Sequence, residues 1–538
     1  MSRWQTNYSL YKKYHLGGEE LKDLKLKRQT KKEIIHEMAD EFDGHVIVYG
    51  IEGLVNLFKT IESEKTLSVL VIEDDKKKLS QFFSHTQAES LLQHEKVKII
   101  FSSTAKKLKL QLNELLIQRV FPQLHWVNTK ASPLSEELKQ FALALALEHE
   151  QLFAYYTDGG IKAFSNFCSN AKALSSINIL DDMNYFANQP AIIVGAGASI
   201  TSLFDAFNQM KKKAWVIAAG TAGSILLKNK LSPHFVAHCD PHSPYERMKG
   251  QKKLKTPVFY DWLSNAEVVG LFNEKILVAS KPRFAFESQF CKNIDFFPKQ
   301  QISAWTVGAF AAKIAHSLGC SPIILVGMDY CYQNDQKYPV AMGQETETTI
   351  EIEKAAKQYK TQKDWILSIN ELEDLAKNSS TKFYNLSRGI PIEGFTSIET
   401  ISALDTVLEK DIDVSILKKI KQTKNEIQSP LIIKGQLLAW DKEIQQMLEE
   451  CTGYMQQLEK YFSGKEMAID SMTFTQNSFT TILDYQWSMM SALILRETKN
   501  LMPEMPKTLV HNIHKLLFYK KGIAEYCDVL GQALDEYE

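Results

Sequence analysis

The sequence lacks the features of a membrane, secreted or nucleic-acid-binding protein. It has no run of about 18 apolar residues, the minimum for a membrane-spanning helix, and residues 1–18 lack the apolar core of a signal peptide. Its seven cysteines are scattered and never spaced as C-x-x-C, so we predict neither a disulfide framework nor a zinc site. The net charge is −1, whereas a nucleic-acid surface needs a concentrated basic face. We therefore expect a cytoplasmic protein with no membrane span, no nucleic-acid partner and no bound metal.

The chain of 538 residues is too long for a single core. Apolar runs alternate with helical patterns between residues 45 and 103 and again between 191 and 332, which predicts parallel sheets with crossover helices. The expected fold class is α/β, with two Rossmann-like parallel-sheet domains in series followed by an all-α C-terminal module. The predicted boundaries are a helical segment at 1–40, a Rossmann-like domain at 41–150, a helical linker at 151–184, a central α/β domain at 185–400 and a helical domain at 401–538.

The first predicted sheet carries a glycine turn, YGIEGL at 49–54, between a strand and a predicted helix. Glu52 places a negative side chain where an anion would bind this turn. The acids Glu73, Asp74 and Asp75 follow the second strand, about where a ribose-binding acid is expected. A ligand site and a sheet that serves only as a scaffold are both open for this region.

A better candidate is the stretch PAIIVGAGASITS at 190–202, which predicts a buried strand, a glycine turn and a helix. Gly197 lets a ligand approach the main chain, and the N–H groups of residues 197–200 are expected to hold an anion at the helix start. Ser199 is expected to cap that helix or to donate to a phosphate oxygen.

The ends of the other strands in this domain support a shared crevice, because ligands of open parallel sheets lie beyond the carboxyl ends of the strands. The residues predicted there are Gly195, Ala196, Gly197, Gly220, Thr221, Asp240, Asp329 and Tyr330. The alternative for the two acids is that they cap helices. His238 and His242 flank Asp240 at a spacing that suggests a metal, but Pro241 interrupts the strand, so we favour histidines that are satisfied or exposed.

Several blocks, in order, resemble the motility accessory factor family of bacterial flagellin glycosyltransferases, which transfer nonulosonic acids such as pseudaminic or legionaminic acid. The blocks are PAIIVGAGASI, AWVIAAGTA, LSPHFVAHCDP, TVGAFAAKIAHSLGCSPIILVGMDYCY and FYNLSRGIPIEGF. The central domain of that family is related to hydroxymethylpterin pyrophosphokinases of the MptE type. The segment 302–335 is also similar to small bacterial sialyltransferases, which use CMP-sialic acid.

The resemblance implies a central nucleotide-sugar domain and assigns a role to each matching residue. Gly195, Gly197 and Ser199 match the family's G-x-G-P-S turn, with Ala198 in place of proline, and Ala196 lies within that turn. Gly220 and Thr221 match the next strand end, near the nucleotide, and Thr306 matches the residue that opens the helix before the last core strand, which we also expect at the nucleotide. Asp240 matches the acid of the family's D-P pair, and Asp329 and Tyr330 match the acid and the aromatic residue that end the last core strand. The segment Asn385–Gly389 resembles an acceptor-side motif, in which Arg388 replaces the usual acid.

The implied activity is transfer of a CMP-activated sugar to Ser or Thr of a flagellin-like protein acceptor, with no cofactor beyond the sugar donor. The small sialyltransferases use a histidine base, but this chain has no histidine between His316 and His511. Asp329 and Asp240 are therefore the first candidates for the base, followed by Tyr330. Two alternatives remain open: a pterin pyrophosphokinase-like enzyme, and a nucleotide-binding protein that has lost catalysis. A homo-oligomer is also left open.

Overall fold

A computed structural model describes most of the chain, and every structural statement below concerns the described residues. These are 44–51, 61, 66–116, 124–128, 133–157, 160–172, 178–180, 184–243, 254–296, 301–333, 349–417, 430–465, 472–498 and 506–535. The predicted N-terminal segment 1–40 lies outside them, as does the helix predicted after Gly50, apart from Ile61.

The first compact unit comprises residues 1–154 and 485–506. Its described strands form a parallel four-stranded sheet in the order β3-β2-β1-β4. The strands are β1 (Gly44–Tyr49), β2 (Thr66–Glu73), β3 (Val97–Phe101) and β4 (Leu124–Asn128), and the helices are α1 (Lys76–Phe82), α2 (Ala88–Gln93), α3 (Ala105–Leu116) and α4 (Pro133–Thr157), which ends three residues past the unit.

Both faces of this sheet are covered. Val46 and Val48 of β1 face one apolar core, and Ile47 and Tyr49 face another, as the two-residue period of a strand requires. This burial on both sides explains why the strands read as continuous apolar runs in the sequence.

The acid after β2 closes the first glycine turn instead of leaving it open to a ligand. Glu73 is 0% exposed, and its Oε2 accepts from the Ile51 N–H at 2.9 Å. Its Oε1 accepts from the N–H groups of Asp74 and Asp75, while the side chain of Asp75 caps α1. The carboxylate therefore occupies the position in front of the turn, which supports the scaffold interpretation of this sheet.

The second compact unit comprises residues 155–484 and 507–538. Its described strands form a parallel nine-stranded sheet in the order β15-β14-β11-β6-β7-β8-β9-β10-β5, together with an antiparallel hairpin, β12-β13. The strands are β5 (Asn178–Ile179), β6 (Ala191–Val194), β7 (Trp215–Ala219), β8 (Phe235–His238), β9 (Val258–Tyr260), β10 (Lys275–Leu277), β11 (Ile323–Val326), β12 (Ile350–Lys354), β13 (Lys357–Thr361), β14 (Phe383–Asn385) and β15 (Thr396–Ser397).

The order of strands in this sheet reverses beside β6. From β6 the chain proceeds through β7, β8, β9 and β10 on one side, and then returns to place β11 on the other side. A crevice at such a switch point is where open α/β sheets bind ligands. The carboxyl ends of β6 and β11 are therefore the first place to look for a site.

Helices cover both faces of the second sheet, as an α/β fold requires. The helices of the unit are α5 (Gly160–Lys172), α6 (Phe207–Lys213), α7 (Thr221–Lys228), α8 (Ala266–Gly270), α9 (Ala285–Asn293), α10 (Val307–Ser317), α11 (Lys363–Lys377), α12 (Pro430–Phe462), α13 (Ser478–Thr498), which continues past the unit's boundary at residue 484, and α14 (Lys507–Asp535). Helices α6 and α7 lie on one face, and α10 and α11 lie on the other. In the described part of the chain, no helix is both long and apolar enough to span a membrane.

The C-terminal helices share a core with the rest of their unit. Phe164 of α5 is 0% exposed and lies 5.0–5.6 Å, centroid to centroid, from four other rings. These rings come from α9, α12, α13 and α14: Phe286, Trp440, Phe479 and Tyr526. The apolar stripes of the C-terminal helices are therefore core surfaces at this point.

The structure differs from the sequence prediction in two details. The hairpin β12-β13 was not predicted. The turn at 195–199 leads into a six-residue 3₁₀ helix, Ala198–Leu203, and not directly into an α-helix. The apolar side chains of Leu203, Phe207 and Met210, in and after this 3₁₀ helix, are buried together.

Candidate functional site

The turn after β6 is held closely against the turn after β11. The Gly195 N–H donates to the Val326 carbonyl at 2.8 Å, and the Gly197 N–H donates to the Gly327 carbonyl at 2.7 Å. A Cβ added to Gly195 would lie 2.4 Å from the Gly327 oxygen, so only glycine allows this approach. The two turns thus form one rigid structure at the switch point.

Asp329, which follows β11, is hydrogen-bonded to the turn after β6. It is 2% exposed, and its Oδ2 accepts from the Ser199 N–H at 3.0 Å. Its Oδ1 accepts from the Ser199 hydroxyl at 2.6 Å and from the Arg388 N–H at 3.0 Å. The Ser199 oxygen in turn accepts from the Gly327 N–H at 3.1 Å. We call Ser199, Asp329 and the Arg388 N–H the clasp.

The clasp overturns one prediction about the glycine turn. The N–H groups of residues 197–200 were expected to hold an anion, but those of Gly197, Ser199 and Ile200 donate to protein acceptors, the last to the Gly197 carbonyl. Three of these four donors are therefore committed within the fold. The following helix has only six residues and adds little dipole field.

The segment Asn385–Gly389 and the residue after it are hydrogen-bonded to the turn after β11. The Met328 N–H donates to the Ser387 hydroxyl at 2.8 Å, and the Ile390 N–H donates to the Asp329 carbonyl at 3.0 Å. Gly389 lies so close to the Asp329 backbone that a Cβ there would overlap it. The Arg388 side chain itself is exposed. Residues 385–390 are thus hydrogen-bonded to the same aspartate as the turn after β6.

The first turn of α10 lies beside these turns, and Thr306, Val307 and Gly308 are half-buried there. Helix α10 packs over β6, β7, β8 and β11. A Cβ added to Gly220, at the end of β7, would lie 3.7 Å from the Val307 methyl groups. A Cβ added to Gly308 would lie 2.8 Å from the Met328 methyl group and 3.5 Å from the Tyr330 hydroxyl. The N-terminus of α10 therefore lies between the ends of β7 and β11.

Thr306 caps the start of α10. Its hydroxyl oxygen accepts from the Ala309 N–H at 3.4 Å and from the Ser368 hydroxyl at 2.9 Å, which leaves its own O–H to donate. The N–H groups of Val307 and Gly308 donate to no acceptor among the described residues. Eleven residues of α-helix direct their dipole to this point, so the first turn favours an anion.

Tyr330 lies behind this turn with unusual geometry. Its φ is +52°, and its carbonyl accepts from the Thr361 hydroxyl at 2.7 Å. Its hydroxyl lies near Thr306 but makes no hydrogen bond of good geometry with any described residue. Burial raises the pKa of Tyr330, so the phenol stays protonated at neutral pH and is a hydrogen-bond donor.

Thr221 and Asp240 lie at the ends of the next two strands. Thr221 is half-buried and begins α7, directly after Gly220, whose φ is +46°. Asp240 is half-buried, and its Oδ1 accepts from the His242 N–H at 2.8 Å. Of the two predicted acids, Asp240 therefore keeps one carboxylate oxygen clear of the hydrogen bonds described here.

His238 departs from the prediction. We expected a satisfied or exposed histidine, but the side chain is 1% exposed and neither ring nitrogen has a hydrogen-bond partner in the described structure. Burial lowers its pKa to about 4, and the nearby Asp240 carboxylate acts in the opposite direction. His242 is exposed, and no group of three or more metal-ligating side chains occurs among the described residues.

Comparisons with known proteins give one family match and two structural matches. Residues 163–335 match the family described as 6-hydroxymethylpterin diphosphokinase MptE-like. The chain is similar to the structure of MAf glycosyltransferase from Magnetospirillum magneticum AMB-1, with a TM-score of 0.52 and 15% identity, over 92% of this chain and 78% of that one. A search of curated protein sequences gives no significant match.

A weaker structural match is the sialyltransferase CstII from Campylobacter jejuni in complex with a substrate analogue, cytidine-5'-monophosphate. It is 17% identical over 39% of this chain and 85% of that one, with a TM-score of 0.21. Residues 163–335 thus match an MptE-like family model, and the fold of the chain is similar to that of the MAf glycosyltransferase structure.

Proposed function

We propose that this protein is a glycosyltransferase that moves a CMP-activated nonulosonic sugar to a Ser or Thr hydroxyl of a protein acceptor such as flagellin. The observation that carries the proposal is the arrangement at the switch point, where the first turn of α10 lies beside the ends of β7 and β11. The fold shared with a Maf glycosyltransferase supports the reaction class. The sugar and the acceptor follow from the sequence resemblance.

The leaving phosphate of CMP is placed at the first turn of α10. The Val307 and Gly308 N–H groups donate to no acceptor among the described residues, and the Thr306 hydroxyl lies next to them in the chain. Thr221 directly follows Gly220 at the start of α7 and adds a hydroxyl group at the carboxyl edge of the sheet. Fixed donors that face the charge developing on a leaving group are an effective form of catalysis.

Asp240 is the proposed base. The acceptor oxygen attacks the anomeric carbon, the bond from that carbon to the phosphate oxygen breaks, and CMP leaves with the electron pair. The acceptor proton passes to the Asp240 carboxylate, which is half-buried at the end of β8. Direct displacement of this kind inverts the anomeric centre.

Asp329 and Tyr330 receive different roles from those first considered. Both oxygens of Asp329 accept hydrogen bonds from the protein, so we assign it to positioning the turns. The Tyr330 phenol, with its raised pKa, serves as a donor near the helix end. Neither role requires the residue to remove a proton.

The family match of residues 163–335 favours a second candidate, transfer of diphosphate from ATP to a pterin. Such a reaction uses Mg²⁺ bound by carboxylates. Asp240 and Asp329 are the two acids that follow strands of this domain, but the clasp engages both oxygens of Asp329. This candidate therefore needs ligands other than that pair.

Ligand binding and turnover, measured on the purified full chain, test the two candidates. We expect CMP to raise the thermal midpoint, and ATP with Mg²⁺ to leave it unchanged. We also expect release of CMP from a CMP-nonulosonate when an unmodified acceptor protein is added. Asp240→Asn should keep CMP affinity within about twofold and lower transfer by at least about tenfold, the usual scale for a lost catalytic base.

The outcomes separate the hypotheses. Stabilisation by ATP with Mg²⁺ but not by CMP would favour the diphosphokinase. Binding of CMP without release of the sugar would favour a nucleotide-binding protein that has lost catalysis. Wild-type transfer by Asp240→Asn would remove Asp240 from the reaction. In cells, mass spectrometry should find a sugar-modified protein that loses its modification when the gene is deleted.

A further inference from the structure

The loop that leads into α10, residues 303–306, is held by contacts from α11. Glu371 of α11 accepts from the Trp305 N–H through Oε2 at 3.1 Å, and from the Lys313 ammonium through Oε1 at 2.7 Å. The Lys313 ammonium also donates to the Ser303 carbonyl at 2.7 Å. One carboxylate therefore connects α11 to the loop and, through Lys313, to the middle of α10.

A second contact from the same helix reaches the last residue of the loop. The Ser368 hydroxyl donates to the Thr306 hydroxyl oxygen at 2.9 Å, and Ser368 is 0% exposed. Ser368 and Glu371 are three residues apart in a helix, so they lie on the same side of α11. Three of the four loop residues are thus bound by α11, either directly or through Lys313.

This loop ends where the proposed phosphate position begins. Thr306 caps α10, and the next two N–H groups, those of Val307 and Gly308, donate to no acceptor among the described residues. The loop backbone is continuous with these two peptide groups, so a shift of the loop changes the direction of their N–H bonds. Donors stabilise the charge of a leaving group only while their geometry is fixed.

The negative charge of Glu371 does not oppose an anion here, because Lys313 neutralises it. The ion pair is 2.7 Å long, and the two side chains are about equally exposed, at 22% for Lys313 and 21% for Glu371. A lone carboxylate beside the helix start would repel a phosphate, whereas the pair has no net charge. The contribution left to Glu371 is that of an acceptor that fixes the loop.

Helix α11 lies outside the residues that match the MptE-like family, which end at residue 335, whereas α10 lies within them. The start of α10 and the residues that fix its loop therefore come from different parts of the chain. The family match by itself does not include the residues that fix this loop.

We propose that Glu371 and Ser368 are positioning residues for the CMP phosphate. They fix the loop before α10 and thereby direct the Val307 and Gly308 N–H groups, and they act through that loop without touching the ligand. The proposal rests on the glycosyltransferase function proposed above, because the phosphate is that of the sugar donor. It predicts that a change at Glu371 alters CMP affinity in addition to stability.

Glu371→Ala and Glu371→Gln test the proposal, and Glu373→Ala is the matched control. Glu373 lies on the same helix, is also 21% exposed, and likewise accepts from one lysine, Lys354, and from one backbone N–H, that of Glu393. Neither partner belongs to the loop before α10. The probe is CMP, with dissociation constants from calorimetry and thermal midpoints without ligand, both measured on the full chain.

We expect Glu371→Ala to bind CMP about 5- to 20-fold more weakly than the wild type, a scale set by the loss of a charged hydrogen-bond acceptor. Glu371→Gln should stay within about threefold of the wild type, because its amide oxygen can accept the Trp305 N–H. Glu373→Ala should lower the thermal midpoint about as much as Glu371→Ala and leave CMP affinity unchanged. Ser368→Ala should weaken CMP binding about 2- to 5-fold, as for one neutral hydrogen bond.

The other outcomes count against the positioning role. Wild-type CMP affinity of Glu371→Ala overturns it, and so does an equal loss of affinity in Glu373→Ala, which would reflect stability alone. An equal loss in Glu371→Gln and Glu371→Ala would assign the effect to the ion pair and not to the Trp305 N–H. If Glu371→Ala does not fold, unchanged CMP affinity of Ser368→Ala overturns the proposal. Wild-type protein that does not bind CMP contradicts the proposed function itself.

Discussion

Ser199 and Asp329, 130 residues apart in the chain, join the ends of β6 and β11 through two hydrogen bonds of 2.6 and 3.0 Å. The 3.0 Å bond is donated by the Ser199 N–H, in the turn that was predicted from the sequence to bind a ligand. The turn is therefore a structural part of the site, and the donors left for a ligand belong to α10. Substitution of Asp329 and of its neighbours tests this division of roles.

Asp329→Asn should lower both the stability of the protein and its transferase activity. The amide NH₂ would face the donors of Ser199 or Arg388, so charge-assisted bonds are lost and two donors oppose each other. We expect the free energy of unfolding to fall by roughly 2–4 kcal/mol, with weaker CMP binding. Chemical denaturation and calorimetry measure both quantities.

The matched control for that substitution is Asp405→Asn. Asp405 pairs with Lys213 at 3.1 Å on the surface, where its side chain is 49% exposed. The loss of an exposed ion pair should change stability by less than about 1 kcal/mol. Wild-type stability of Asp329→Asn together with lost transfer would restore Asp329 as the base.

Gly197→Ala should open the clasp. The new Cβ would lie 2.4 Å from the Asp329 Oδ2 and 2.8 Å from the Gly327 carbonyl, distances that real Cβ atoms do not show. The turn must shift, so we expect a loss of about 1–3 kcal/mol in stability and a large loss of CMP affinity. A thermal midpoint equal to that of the wild type would show that the turn has room to adapt.

Gly453→Ala is the matched control and has the opposite expected sign. Gly453 lies inside α12, and a Cβ there meets no atom within 4 Å. Alanine in a helix interior is more favourable than glycine by about 1 kcal/mol. The two substitutions therefore differ in sign although the chemical change is the same.

His234→Asn should reduce the loss of stability in acid. The Nδ1 of His234 accepts from the Val216 N–H at 3.0 Å, and burial, followed by the nearby Lys211, lowers its pKa from 6.5 to about 3. The folded protein excludes a proton that the unfolded chain binds below about pH 6.5, so stability falls as the pH drops from about 6.5 toward 3. The slope for one such group approaches about 1.4 kcal/mol per pH unit.

The asparagine oxygen can accept the same Val216 N–H but cannot titrate, so the stability of this variant should depend less on pH between 6.5 and 4.5. Urea denaturation at several pH values measures the slope. His242→Asn, at an exposed position, is the control and should follow the wild type. Equal slopes for His234→Asn and the wild type would contradict the assignment.

The positions of the strands in the second sheet were predictable from sequence because they depend on local signals. Apolar runs at β6, β7, β8 and β11 end in glycine or acid, and both faces of the sheet are covered. Long-range pairing was not predictable. Whether Asp329 faces a ligand or Ser199 depends on contacts across 130 residues, and the burial of His238 depends on packing between strands. Local patterns contain neither kind of information.

Strands β12 and β13 were not predictable from the sequence either, because their apolar and polar residues alternate only weakly. Their side chains alternate between half-buried and exposed, so no continuous apolar run marks them. The C-terminal region was predicted to be helical, because helical periodicity is strong over 20 residues or more. What those helices pack against was not predictable from that periodicity, and Phe164 provides a test.

Phe164→Ala should destabilise the second unit by about 3–5 kcal/mol, because a fully buried ring is replaced by a cavity among rings of α9, α12, α13 and α14. The same truncation at Phe462, which is 55% exposed at the end of α12, should change stability by less than about 0.5 kcal/mol. Differential scanning calorimetry of the full chain compares the two variants. If Phe164→Ala unfolds like Phe462→Ala, the C-terminal helices are not held to α5 by this aromatic cluster. A large difference would mean that these helices stabilise the domain that carries the proposed site, so their removal should lower CMP binding as well.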